Sequence, residues 1–189
     1  MNNHFIREFV FDEEQQEELC AQYTRLFPSM FRAGVSNRER GNYVSDARYC
    51  DHVNFNYLEF PDISYTLIET LADLDQDYPE DLWFAQFEFI RYEGAGQTFI
   101  RHQDDNKDGS QHNRLYTSVT MIEKSKDLEG GKLKIWTPCG REYTVDLEPF
   151  ETIIFPAYYE HEATPLVKGR RVVMISWAQR EGRKVLTSQ

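Results

Sequence analysis

Three side chains of this protein have the types and spacing to share a metal ion. His102 and Asp104 stand two apart in Arg101-His102-Gln103-Asp104. Along a strand, residues two apart face the same way, so an imidazole nitrogen and a carboxylate oxygen can point together. Further on, Ile153-Ile154-Phe155-Pro156-Ala157-Tyr158-Tyr159-Glu160-His161 reads as an apolar strand, a proline-containing turn and a histidine where the next strand starts. Two imidazoles and one carboxylate on one face suit iron(II), with the opposite positions left open, and also suit a hydrolytic zinc ion. His-x-Asp alone is a weak signal, because a surface histidine beside an acidic turn is spelled the same way.

Arg171 separates these possibilities. It starts an apolar strand in which Val173, Ile175 and Trp177 share its face by alternation. A guanidinium on the inner face of a barrel requires an anion, because an unpaired buried charge is expensive. Its planar fork matches a carboxylate through two parallel hydrogen bonds, and each charged hydrogen bond contributes about 1.5–3 kcal/mol. The plain alternative is an ion pair with one of the chain's many Asp and Glu residues.

These groups need a frame. Phe5 to Phe11 reads as a short strand, and Asp12 can cap the helix after it, whose apolar face is Leu19, Tyr23, Leu26, Phe27, Met30 and Phe31. A polar loop follows from Arg32 to about Asp46. A second helix fits Ser64 to Asp77, with Ile68, Leu71 and Leu74 on one side and Pro79 ending it. From Trp83 the pattern changes to short strands: Trp83–Tyr92, Phe99–His102, Leu115–Ile122, Lys132–Trp136, Glu142–Leu147, Thr152–Phe155 and Arg171–Ala178. Closely spaced strands after helices predict an α+β fold, mainly β: a sandwich or barrel with the helices packed on one side.

The chain has 189 residues, of which 40% are hydrophobic and 14% aromatic, so it can bury a substantial core. A single domain is expected over residues 1–189, with helix and strand support in 1–82 and the catalytic strands in 83–180. The net charge of -11 repels phosphate backbones, which argues against nucleic acid as a partner. Arg32, Arg38 and Arg40 are read as a solvated loop. Cys20, Cys50 and Cys139 lack any disulfide or metal spacing and fit a reducing compartment. The opening MNNHFIREFVFDEE has no basic-then-apolar leader, and no stretch is apolar over the length a membrane requires. The cytoplasm is therefore the expected location, with no membrane partner. His4, His52 and His112 are given no metal role; His112 falls in the polar loop Asp105–Asn113.

Taken in order, Tyr92, Gly96, Gln97, His102-x-Asp104, Gly130-Gly131-x-Leu133, Phe155-Pro156, His161, Pro165, Gly169, Arg171 and Trp177 resemble the prolyl-hydroxylase-type 2-oxoglutarate/Fe(II) dioxygenases, over roughly Trp83 to Ala178. The resemblance implies a double-stranded β-helix, the jelly-roll or cupin-like barrel, with supporting N-terminal helices. It implies that His102, Asp104 and His161 hold Fe(II), that 2-oxoglutarate and O₂ are co-substrates, and that a C–H bond is hydroxylated, with ascorbate as a candidate reductant. Arg171 would hold the distal carboxylate of 2-oxoglutarate, with Tyr92 and Leu133 lining its pocket. Where the family often has a tyrosine that helps bind that carboxylate, this chain has Met121; Thr117 is the candidate replacement. Arg101, Tyr158, Tyr159 and Trp177 are candidates to face the substrate.

The resemblance points to a prolyl residue of a protein or peptide as substrate, with a free amino acid or another small metabolite as the alternative. A non-catalytic metal-binding β-barrel used for recognition is the reading from another class, and intact ligands plus Arg171 count against it. A zinc hydrolase would have no use for Arg171. Asp104 disfavours related halogenases, which leave the carboxylate position to a halide.

Overall fold

The computed structural model describes residues 5–37, 41–44, 47–56, 58, 60–74, 82–105 and 114–180. The expectations for His4, Arg38, Arg40, His112 and most of the Asp105–Asn113 loop lie outside these residues.

The chain begins with β1 (Ile6–Phe9) and α1 (Glu13–Leu26). Asp12 starts α1 through a reciprocal cap: its carboxylate accepts from the Gln15 backbone at 2.8 Å, and Gln15 Oε1 accepts from the Asp12 backbone at 3.2 Å. Pro28 allows only a 3₁₀ turn afterwards, Phe27–Ser29. The expected apolar face therefore stops at Leu26; Phe27 and Phe31 are exposed, and Phe31 lies in β2 (Phe31–Arg32). Short strands follow, β3 (Gly34–Asn37), β4 (Gly41–Val44), β5 (Arg48–Tyr49) and β6 (Asp51–Asn56). Helix α2 (Pro61–Leu74) starts three residues earlier than expected, because Pro61 is preorganised for a first helical turn. It buries Ile63, Leu67 and Leu71 completely, each contributing about 1.5–3 kcal/mol.

The rest of the chain is strand: β7 (Leu82–Tyr92), β8 (Thr98–His102), β9 (Arg114–Lys124), β10 (Glu129–Gly130), β11 (Leu133–Trp136), β12 (Glu142–Val145), β13 (Glu151–Pro156), β14 (Glu160–Ala163), β15 (Leu166–Lys168) and β16 (Arg171–Arg180). The major sheet runs β1-β13-β9-β16-β7-β6-β2 and the minor sheet β12-β11-β14-β8-β5. This is the expected mainly-β jelly roll. Residues before Trp83 do more than support it, since β1, β2 and β6 extend the major sheet and β5 the minor one.

Alternation along the strands makes two cores. Outward-facing Phe55, Phe87, Phe89, Met174 and Ile154 pack with Leu19 and Tyr23 of α1 and with Ile63, Leu67 and Leu71 of α2. Inward-facing Ile90, Tyr92, Val119, Met121, Leu133, Ile135, Phe155 and Val173 fill the space between the sheets. A buried ion pair closes one side: Arg48 of the minor sheet and His52 of β6 both contact the Glu88 carboxylate on β7. The three cysteines are unpaired, and among the described residues no helix is long and apolar enough to cross a membrane.

Candidate functional site

His102 reaches the barrel interior because β8 is irregular. In the ladder with β14, His161 lies opposite His102 and Ala163 opposite Phe99, so β8 uses three steps where β14 uses two. This bulge throws Ile100 and Arg101 outward, both exposed. It also leaves Phe99 and His102 on one face, with stacked rings 3.7 Å apart. Asp104 is past the strand end, not alternating with His102 inside it; its backbone N–H donates to Ala157 O at 2.9 Å. That tie brings the β8 exit against the turn before β14.

His102, Asp104 and His161 meet here, their ligand atoms all within 4.8 Å of one another. His102 Nδ1 lies 2.7 Å from Ile100 O and His161 Nδ1 3.0 Å from Tyr159 O. A carbonyl only accepts, so each Nδ1 carries the proton and each neutral ring turns the Nε2 lone pair inward. Those lone pairs face Asp104, with His102 Nε2 3.6 Å from Oδ1 and His161 Nε2 3.4 Å from Oδ2. Two imidazole nitrogens and a carboxylate converging in this way could hold a cation between them. The donor set fits a divalent transition metal with open positions, and backbone carbonyls fixing both imidazoles are the usual outer support of such ligands.

The charges agree. Burial alone would raise the Asp104 carboxyl, yet His161 and His102 hold it well below the usual carboxylate range. Burial lowers His161, but Asp104 more than offsets this and leaves it raised; His102 is lowered by burial and by His161.

Arg171 stands at the start of β16 and is 5% exposed. Its guanidinium lies over the Tyr92 ring, 4.5 Å from the centroid. Its Nε has no hydrogen-bond partner, and among the described residues no carboxylate forms an ion pair with it. Burial lowers its affinity for its proton and pushes the Tyr92 phenol up. Gly131, at φ +60°, lies so close that an added Cβ would sit 3.5 Å from Arg171 Cδ. Met121, paired with Val173 on β16, and Leu133 supply apolar walls in the same inter-sheet core. A buried cation with no carboxylate partner among the described residues, in the same barrel as a metal-type donor set and apolar walls, fits a small dicarboxylate.

The remaining expectations are sorted by contacts. Thr117, expected at the distal carboxylate, donates its hydroxyl proton to Asp104 Oδ2 at 2.8 Å instead. Trp177, expected at the substrate, donates its indole N–H to the same oxygen at 2.9 Å. Arg101 points away from the metal face because of the bulge; it pairs with Glu160 and stacks on Trp136. Tyr159 is 2% exposed in the inter-sheet core, its phenol pushed up to about 12 by burial, and its carbonyl orients His161. Tyr158 is exposed, and its carbonyl accepts from Gln103. Sequence reasoning missed Arg114, at the start of β9. It is 8% exposed and lies flat on Trp177, 3.5 Å from the ring centroid, with a long 3.4 Å bond to Gln86 Oε1. Among the described residues no carboxylate pairs with it.

Residues 87–179 match the sequence profile of the 2OG-Fe(II) oxygenase superfamily. A PKHD-type hydroxylase of Gloeothece citriformis is 33% identical over 93 residues, which covers 48% of this chain and 41% of that protein. The chain thus spans well under two thirds of that relative. A Pseudomonas putida prolyl-4-hydroxylase has the same fold, with a TM-score of 0.71, 17% identity and coverage of 95% of this chain and 94% of the other. So does a Trichoplax adhaerens prolyl hydroxylase in complex with a hypoxia inducible factor peptide fragment, with a TM-score of 0.70, 19% identity and coverage of 99% and 88%.

Proposed function

We propose that this chain, whose residues 87–179 match the 2OG-Fe(II) oxygenase superfamily, is a dioxygenase of that family that hydroxylates a prolyl residue of a peptide or protein. The observation that carries the reaction class is the buried Arg171 guanidinium, without a carboxylate partner among the described residues, inside the barrel that also gathers two imidazoles and a carboxylate. A zinc hydrolase needs the second and not the first.

In this reading His102 Nε2, His161 Nε2 and an oxygen of Asp104 hold Fe(II). Arg171 takes the distal carboxylate of 2-oxoglutarate through its fork, and Tyr92 supports the guanidinium from below. Leu133, Met121 and Val173 shape the methylene path and keep water out. When bound, Fe(II) and 2-oxoglutarate supply the activation of O₂, with CO₂ and succinate released as a substrate C–H bond is hydroxylated. The protein's task is to orient the reacting groups and exclude bulk water.

The substrate is assigned from the company the chain keeps: its relative is a PKHD-type hydroxylase, and proteins of the same fold are prolyl hydroxylases. Arg114 adds a chemical reason. Trp177 covers one face of its guanidinium, which has no carboxylate partner among the described residues, so its edge is suited to donate to an acyl oxygen of the substrate.

The deciding experiment is an anaerobic titration of metal-free protein with Fe(II) and 2-oxoglutarate. A visible metal-to-ligand charge-transfer band that saturates at one equivalent and is absent from Asp104→Ala supports the site. Well-folded protein with no band rejects the oxygenase reading. Succinate release over a panel of prolyl peptides and free proline then tests the substrate.

A further inference from the structure

Asp104 presents its two oxygens to different surroundings. Oδ2 accepts from the Thr117 hydroxyl at 2.8 Å and from the Trp177 indole N–H at 2.9 Å. Each oxygen also faces one imidazole nitrogen, Oδ1 the His102 Nε2 at 3.6 Å and Oδ2 the His161 Nε2 at 3.4 Å, but among the described residues Oδ1 accepts from no hydroxyl or indole donor. The contacts are sealed from solvent: Thr117 is 0%, Trp177 6% and Asp104 7% exposed. Nor are the donors free to leave. Thr117 and Trp177 face each other in the β9–β16 ladder, and Thr117 is flanked on its other side by Phe155. The indole nitrogen only donates, and burial leaves it no water to turn to.

We infer that Thr117 and Trp177 are positioning residues that lock Asp104 into one-oxygen metal binding, with Oδ1 as the ligand and Oδ2 withheld. This rests on the oxygenase reading and deepens it. A carboxylate oxygen offers two in-plane lone pairs, and at Oδ2 both are taken by N–H and O–H donors. Iron held by three protein donors would keep three positions open. A chelating 2-oxo acid would fill two of them and leave the third for O₂. Were Asp104 to bind through both oxygens, it would occupy that third position. The two donors thus hold a coordination position in reserve without touching the metal. Trp177 also carries Arg114 on its ring, so whatever Arg114 binds lies one indole away from the ligand it steadies.

The test uses the full chain, stripped of metal, titrated with Co(II) alone and followed by its visible d–d absorption. Thr117→Val keeps shape and removes the donor; Trp177→Phe keeps an aromatic ring and removes the N–H. Each is expected to weaken Co(II) binding about 10- to 100-fold, the usual effect of losing an outer partner of a ligand, and to change the d–d spectrum. Thr117→Ser, which restores the hydroxyl, is expected to return both to wild type. Wild-type affinity and spectrum in Thr117→Val overturn the inference, whether or not Trp177→Phe folds. Asp104→Ala separates this failure from a deeper one: if it binds Co(II) as well as wild type does, the metal site itself is misassigned and both readings fall.

Discussion

His161 stands directly opposite His102 in the antiparallel ladder of β14 and β8, their ring centroids 4.3 Å apart. One register pair of the minor sheet therefore supplies both imidazoles, and strands rather than a loop set their separation. The carboxylate comes from outside the ladder, pinned by the Asp104 N–H to Ala157 O bond.

Replacing His102, Asp104 or His161 with alanine is expected to abolish turnover while the fold survives. These side chains face one another around an ion site and contribute little to the apolar core. Succinate release and a far-ultraviolet dichroism melt on each variant check this. Full turnover in any one of them removes that residue from the ligand set.

Arg171→Ala is expected to weaken 2-oxoglutarate binding about ten- to a hundredfold, from the loss of charged hydrogen bonds contributing about 1.5–3 kcal/mol. Arg171→Lys keeps charge and loses the fork, so it should recover only part of the affinity. Calorimetric titration of the metal-loaded protein reads both. Unchanged affinity in Arg171→Ala means that the anchor lies elsewhere.

The site should respond to pH with opposite signs in the empty and metal-bound protein. His161 is raised above 6.5 because Asp104 outweighs the effect of burial. Without metal, the His161–Asp104 pair stabilises the fold fully below pH 6.5, and that contribution is lost as pH rises through the raised folded value. Metal needs the same Nε2 free of its proton. Its affinity should therefore fall about tenfold per pH unit below that raised value, with His102, which is lowered, joining only in more acid solution. Co(II) affinity at pH 8, 7 and 6 measures the slope; a flat profile contradicts it.

Gly130 and Gly140 make a matched pair for stability. Both have positive φ, +75° and +81°. An added Cβ at Gly130 would lie 2.4 Å from Pro165 O, whereas at Gly140 nothing lies within 4 Å. Gly140→Ala should cost about 1 kcal/mol of backbone strain, and Gly130→Ala about 3 kcal/mol or more. At about 2–4 °C per kcal/mol, melting curves should separate them clearly. Equal melting temperatures mean that the β10–β15 contact yields freely.

The chemistry was legible in the sequence because it depends on residue type and order. His102, Asp104, His161 and Arg171 announce themselves as donors and as a cation on an apolar strand, and turn residues mark most strands from Trp83 onward. What escaped depends on contacts. β6 reads Asp-His-Val-Asn-Phe-Asn: Val53 and Phe55 alternate correctly into the outer core, but aspartate and asparagines conceal a strand. The buried meeting of Glu88 with Arg48 and His52 joins residues far apart in sequence and from different sheets. Thr117 and Trp177 were both marked for the site and given the wrong neighbour, since a strand face is legible and the atom it reaches is not. Arg114 passed unnoticed because an arginine after a polar loop looks solvated until Trp177 is laid against it.

The irregularity in β8 has a consequence for how this site can change over generations. With Phe99 and His102 both inward, the ligand sits at an odd offset from the core residue that anchors its strand. Loss of one residue at Ile100 or Arg101 would restore even parity and a regular strand, in which Phe99 and the imidazole still share the inward face. Substitutions at those two exposed positions leave the count intact. The metal site is thus tolerant of spelling, and of the loss of one residue, at the same two places, because the bulged and the regular strand both keep the imidazole facing inward.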